Sequence, residues 1–251
     1  MKKVVKQSEI TIEKLGVGTA SVWIKGESPL IYNAMSAKAR HELLMPRGRK
    51  TAAQKATMLK HEPVEEYRNS VYRTDDNKSD TRLMFPATAF KNSAIGAIRH
   101  MPTAGVTMVQ MKQLLWVKGD TVSMYGVPKL FMSVVRSADM NKTPDVRTRA
   151  ILTEWCCCLS INYVVPNLNE TSLARLLEAG GLLNGVGDFR QEKGKGNYGQ
   201  FRLADKDECE SIIKSGGIKA QDAALKTPEC YDVESRELLA WFKEERKARG
   251  K

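Results

Sequence analysis

Histidine is scarce in this chain of 251 residues: His41, His61 and His100 are the only three, and all lie far in sequence from the five cysteines. The cysteines form no Cys-x-x-Cys pair; Cys156, Cys157 and Cys158 are consecutive, while Cys209 and Cys230 stand alone. Structural zinc needs four sulfur or nitrogen ligands at close, paired spacings, so this pattern argues against a metal site and no cofactor is implied. The triplet sits in ILTEWCCCLSINYVV, a β-rich run, where cysteine serves as a small core residue in a reducing compartment. No apolar run approaches the roughly 18 residues of a membrane span. The basic start, Met-Lys-Lys-Val-Val-Lys-Gln-Ser, lacks the apolar core of a signal peptide. The expected location is therefore the cytoplasm, with no membrane partner. Heptads and internal repeats are also missing.

What the chain has is positive charge: net +11, with a pI near 9.4. That surplus favours a polyanionic partner. It also has a concentration of glycine. Ala179 to Leu203, AGGLLNGVGDFRQEKGKGNYGQFRL, holds seven of the 18 glycines, threaded with Asp188, Arg190, Lys193, Lys195 and Arg202. Glycine at such density implies positive φ or close approach of the backbone to something. A Walker loop is excluded, because Gly194-Lys195 is followed by glycine rather than Ser or Thr. A dinucleotide fingerprint is excluded too: Gly185-x-Gly187 leads to Arg190, and a helix rather than a strand precedes it. The stretch is left as a cationic loop running into a strand. Phe189 and Tyr198 within it could stack a planar base, and the competing explanation is an ordinary solvated turn.

Taken in order, 8–12 and 19–25 alternate as strands. Residues 34–81 change character: helices are expected from Ser36 to Met45 and from Lys50 to Lys60, joined by the basic turn Pro46-Arg47-Gly48-Arg49-Lys50. This region is expected to be an insertion, or thumb, of about fifty residues. A short strand at 82–85 then leads through Pro86 into a helix, ATAFKNSAIGAIRHM. Residues 114–118 and 121–125 flank Gly119-Asp120, a hairpin signal. Strands follow at 129–137 and 150–165, then a helix over 170–179 that Gly180-Gly181 should stop. A strand at 198–203 and three helices in 204–251 complete the chain. Without the insertion, the order is βαββαβ, an α+β, ferredoxin-like (RRM-like) core. The expected organisation is one such domain over 1–203 with a C-terminal helical extension, 204–251, packed on it.

Two stretches in that order resemble a known family. FPATAFKNSAIGAIRH is similar to the first-helix motif of the RAMP (repeat-associated mysterious protein) superfamily, and LLEAGGLLNGVGDFRQEKGKGNYGQF to its glycine-rich loop. Within the superfamily the chain is most similar to the backbone subunit of class 1 CRISPR effector complexes. The resemblance spans about residues 18–203. It implies a non-catalytic subunit that binds single-stranded guide RNA, polymerises head to tail with copies of itself, and meets other effector subunits. Carried onto this sequence, the implied contacts are Gly185, Gly187, Arg190, Lys193, Lys195, Gly196 and Asn197 of the loop, with Lys91 and Arg99 of the helix. Arg147 and Arg149 could extend the track, and Arg47, Arg49 and Lys50 would form the tip of the thumb. Phosphate neutralisation by Lys and Arg supports the same partner, as do backbone amides freed by glycine. Two other classes fit the same physics. One is a phage-like single-stranded DNA-binding or annealing protein. The other is a metal-independent RNA-processing endonuclease of the same superfamily, which would need a general base. Only the three histidines could supply that base near neutral pH, with His100, at the end of the matched helix, the best placed.

Overall fold

A computed structural model describes residues 14–36, 40–41, 44, 61–101, 105–136, 144–193 and 196–249. Its centre is β1 (Gly16–Gly26), whose alternation puts Ile24 in the core and leaves Val17 exposed on the opposite face. One edge of β1 pairs antiparallel with β10 (Phe201–Ala204), the other with β9 (Cys156–Val165), as in Val22 opposite Leu159. Next to β9 lie β5 (Leu115–Val117) and β6 (Thr121–Tyr125). The sheet then continues through β4 (Leu83–Pro86) to β3 (Tyr72–Arg73), antiparallel throughout.

The expected hairpin at Gly119-Asp120 is absent. Leu115 to Val117 pairs with Ile161 to Tyr163, and Met124-Tyr125 pairs with Cys156-Cys157, so both strands lie end to end along one edge of β9. Gly119 does turn, with φ +79°. The chain leaves β9 there and residues 121–123 pair with β4, with the Ala87 N–H donating to the Asp120 carbonyl at 2.9 Å.

The expected strand 150–165 is also two strands. β8 (Pro144–Leu152) ends before a turn at Thr153-Glu154, and β9 starts at Cys156 in the other sheet. Trp155, fully buried at this corner, donates from its indole nitrogen to the Ser28 carbonyl at 2.9 Å. β8 pairs with β7 (Pro128–Arg136) in a long hairpin and with β2 (Leu30–Ile31) at its far end, forming a separate three-stranded sheet.

Two helices cover one face of the large sheet. α2 (Ala87–Ala97) follows β4, and α4 (Glu170–Leu183) follows β9. Phe85, Phe90, Phe201 and Trp155 interlock edge to face beneath them. α4 does not stop at Gly180-Gly181 as expected. Tertiary contact overrides propensity: a Cβ on Gly180 would sit 2.8 Å from the Ala94 backbone of α2, so glycine there lets the helices touch. On the other sheet face, α5 (Lys206–Ser215) covers Cys156 with its own Cys209 and Ile212, helped by Trp23 and Tyr125. Cys156 and Cys157 are fully buried, in keeping with their reading as core residues.

Two helices escape the sequence analysis. α1 (Pro63–Asn69), inside the expected insertion, is integral to the fold: Tyr67 is fully buried and donates to the Pro128 carbonyl at 3.0 Å. Burial raises that phenol's pKa. α3 (Met108–Leu114) starts at Thr107 with a capping box closed by Gln110. The C-terminal helices α6 (Ile218–Lys226) and α7 (Val233–Ala248) contribute Leu225 and Leu239 to the main core. Gln221 of α6, fully buried, sets its amide nitrogen with two N–H donors among three carbonyls (Met124, Gly126, Gly216) and accepts the Arg82 and Leu83 N–H groups. The expected strand at 8–12, the helix 50–60 and most of the helix 36–45 lie outside the described residues.

Candidate nucleic-acid interface

The loop is built from the end of α4 outward. Asn184, 4% exposed, donates its amide to the Ser93 carbonyl at 2.6 Å, and the Ser93 hydroxyl donates to the Gly180 carbonyl at 2.8 Å. This buried polar clasp fixes where the loop leaves the helix relative to α2. The chain then turns at Gly185 (φ +66°) and Gly187 (φ +87°), and Asp188 N–H donates to the Ile31 carbonyl at 3.0 Å. At Gly187 a side chain would meet Leu30 at 2.6 Å and the Ile31 carbonyl at 2.8 Å. The expected backbone approach is therefore made largely to protein.

The same holds for several predicted contacts. Arg149 has a side chain 7% exposed, ion-pairs with Asp188 and lies over the Phe189 ring at 5.6 Å. Burial, with repulsion from Arg147, lowers its pKa to about 10. Its guanidinium holds the loop from inside rather than facing solvent. Arg190 folds back on Glu192, at 2.7 Å, and on the Gly187 carbonyl, at 3.0 Å. Phe189 takes φ +50°, uncommon for a residue with a side chain. Tyr198 is half-buried against Phe131, with ring centres 6.5 Å apart. A side chain at Gly196 would run into the Phe189 carbonyl. Asn197 is exposed. Lys193 closes a short 3-10 turn, Gln191–Lys193, and Lys195 falls outside the described residues. Arg47, Arg49 and Lys50 lie outside them as well.

Between the loop and α2 is a cleft of about 460 Å³, lined by Thr88, Asn92, Arg99, Lys112, Gly187 and Arg190 among others. Its lining mixes the polar and cationic side chains with apolar Ala89, Ile95, Met108 and Val186 and the carboxylate of Glu192. Lys91 reaches across to accept a place on α3, donating to the Lys112 carbonyl at 2.9 Å. Arg99 is exposed, its Nε 3.1 Å from the Met108 sulfur. Lys112, Thr88 and Asn92 are exposed as well. The sequence analysis named Arg99 and the loop but missed Lys112, Thr88 and Asn92. For Lys112 a signal existed, since the Thr107-x-x-Gln110 box marks the start of its helix.

The three histidines sit in unlike places. His100 and His41 are exposed. His61 is bound through Nδ1 to Glu66 at 2.7 Å and through Nε2 to Asp145 at 2.9 Å. Arg147 is exposed on β8, close to this histidine, in a separate cleft.

No family model matches the chain, and no curated protein matches it. Among solved structures, it is similar to a chain in the cryo-EM structure of the Type III-B Cmr-beta bound to cognate target RNA. The match covers 76% of this chain and 60% of that one, at 11% identity and a TM-score of 0.34. This chain thus spans less than two thirds of the length of that solved chain.

Proposed function

We propose that the chain is a non-catalytic subunit that binds single-stranded RNA, on a ferredoxin-like core, within a CRISPR-type ribonucleoprotein. The strand order β10-β1-β9, extended by β5 and β6, with α2 and α4 on one face, supports the reading of a βαββαβ core. The observation that carries the reading is the cleft itself. It brings the two stretches that resemble the RAMP superfamily, the first helix and the glycine-rich loop, to opposite walls of one groove. Arg99 and Lys112 at its rim, with the hydroxyl of Thr88 and amide of Asn92, suit a phosphodiester backbone and carry no sequence code. The carboxylate that lines this groove, Glu192, is held by Arg190 at 2.7 Å. In this reading copies of the chain follow one another along the strand, with other subunits as further partners, and the buried Arg149 positions the loop.

The test is retention of labelled single-stranded RNA, single-stranded DNA and duplex RNA by the purified chain at low salt, with size measured alongside. Single-stranded RNA should be held best and should drive the protein into larger species. Equal or stronger retention of single-stranded DNA would replace RNA by an annealing or DNA-coating role. Retention of no strand would remove the proposal.

A further inference from the structure

Arg149 lines a second cleft, of about 530 Å³, within the size range of small-molecule sites. It is walled by α1, by residues 33–36 and by one edge of β8. Its carboxylates are already engaged. Glu62 pairs with Arg246 at 3.4 Å, Glu65 with Arg68 at 2.6 Å, and Glu66 and Asp145 with the two ring nitrogens of His61. Arg147 differs: it is exposed at the cleft, makes no ion pair among the described residues, and lies near enough to Arg149 to depress that group's pKa.

The β8 edge adds donors. Ala150 uses its N–H on the Ser70 hydroxyl at 2.8 Å and its carbonyl on the Tyr32 N–H at 2.9 Å, both on the side away from β7. In an antiparallel pair, outward-facing residues recur at every second position. Thr148 therefore turns its backbone N–H and carbonyl to the same edge, where β2 has ended and the cleft begins. Thr148 is buried, and its hydroxyl has no partner among the described residues. Asn33 and Asn69 also line the cleft, and an asparagine amide offers both a donor and an acceptor.

We propose that this second cleft is a binding site for a nucleoside phosphate, with the phosphate on Arg147 and the Thr148 edge and the base read by Asn33 and Asn69. The guanidinium and the edge N–H give charge-assisted and neutral donors to one anion. The paired amides match the donor and acceptor edge of a base, as bidentate amides do in nucleic-acid recognition. A free mononucleotide and one nucleotide of a bound strand present the same chemistry. Arg149, which lines this cleft, ties it to the glycine-rich loop through its partner Asp188.

Titration calorimetry of the full chain with AMP, GMP, CMP, UMP, inorganic phosphate and a single-stranded RNA oligomer separates the sources. Mononucleotides should bind, and at least one should bind more tightly than inorganic phosphate. Arg147→Ala should weaken them about tenfold or more, since a hydrogen bond to a charged group is lost. Asn69→Ala should weaken the mononucleotides and leave inorganic phosphate unchanged. Thermal melts check that the variants fold; Arg147 is exposed, so its removal should leave the melt in place. Absence of mononucleotide binding, or binding indifferent to Arg147→Ala, overturns the site. Inorganic phosphate binding as tightly as every mononucleotide overturns base recognition and with it the proposal. Mononucleotide binding without RNA binding leaves this site standing and removes the strand-binding role; the reverse removes this site alone.

Discussion

Gly180→Ala tests the contact from which the candidate interface is built. In an exposed helix the change would stabilise by about 1 kcal/mol, because alanine has the higher helix propensity. Here the new Cβ would lie 2.8 Å from both the Ala94 Cα and N and 2.9 Å from the Ser93 carbonyl carbon. All three are backbone atoms, which cannot rotate out of the way. Ordinary contact requires α2 and α4 to part by somewhat under an ångström, and overpacking of that kind costs about 1–3 kcal/mol. Parting also lengthens the Ser93–Gly180 bond of 2.8 Å and the Asn184–Ser93 bond of 2.6 Å, both buried. The packing loss exceeds the propensity gain, so a net destabilisation of about 1–2 kcal/mol is expected. Urea denaturation should show a lower midpoint with unchanged slope. Thermal melting should fall by roughly 2–4 °C per kcal/mol for a chain of this size. A variant more stable than the parent would mean that the helices are not in contact at this glycine, and the clasp at the loop would lose its basis.

Arg149→Met should cost about 2–3 kcal/mol, because Asp188 loses its partner next to a buried position, and hydrogen exchange should speed up at residues 185–190. Unchanged exchange there would show that Arg149 does not hold the loop. At Glu208 the carboxylate pKa is lowered to about 2, chiefly by the hydrogen bond from Arg202 and then by the Asp205 N–H. A depressed carboxylate stabilises the fold above its unfolded value near 4.5 and loses that contribution as pH falls through about 2. The difference in melting temperature between the parent and Glu208→Gln should therefore be full at pH 6 and shrink on acidification; a difference that does not change with pH would contradict the pairing. Thr148→Val removes a buried hydroxyl that has no partner among the described residues, so without ligand the melting temperature should hold or rise; a clear fall would show that the hydroxyl is bonded.

Much of the chain was legible where pattern and packing agree. The alternation of 19–25, the Pro86 entry to α2 and the helix expected from 170 all appear as elements, the last capped by Asn169, which accepts the Ser172 N–H at 2.8 Å. What failed did so for tertiary reasons. Gly119-Asp120 carries the local signal of a hairpin, but whether flanking strands pair with each other or both with β9 depends on distant residues. Gly180-Gly181 reads as a stop because the sequence does not show Ala94 and Phe201 waiting on either side. The corner at Trp155 was missed because the β-rich runs on either side of it are parted by only two polar residues, Thr153 and Glu154. In the site, loop cations were visible as residues but not as partners: Arg149 and Arg190 look alike in sequence, yet both are spent on Asp188 and Glu192. Lys112 was overlooked because its helix is only seven residues long.

The cleft between α2 and the glycine-rich loop is tested most directly by the salt dependence of single-stranded RNA binding in the parent and in the double variant Arg99→Ala, Lys112→Ala. Each phosphate contact contributes about 0.7 to the slope of log affinity against log salt for a single strand. The double variant should bind more weakly and show a slope smaller by about 1.4, with its thermal melt unchanged. A folded double variant with the affinity and slope of the parent would place the strand elsewhere on the molecule.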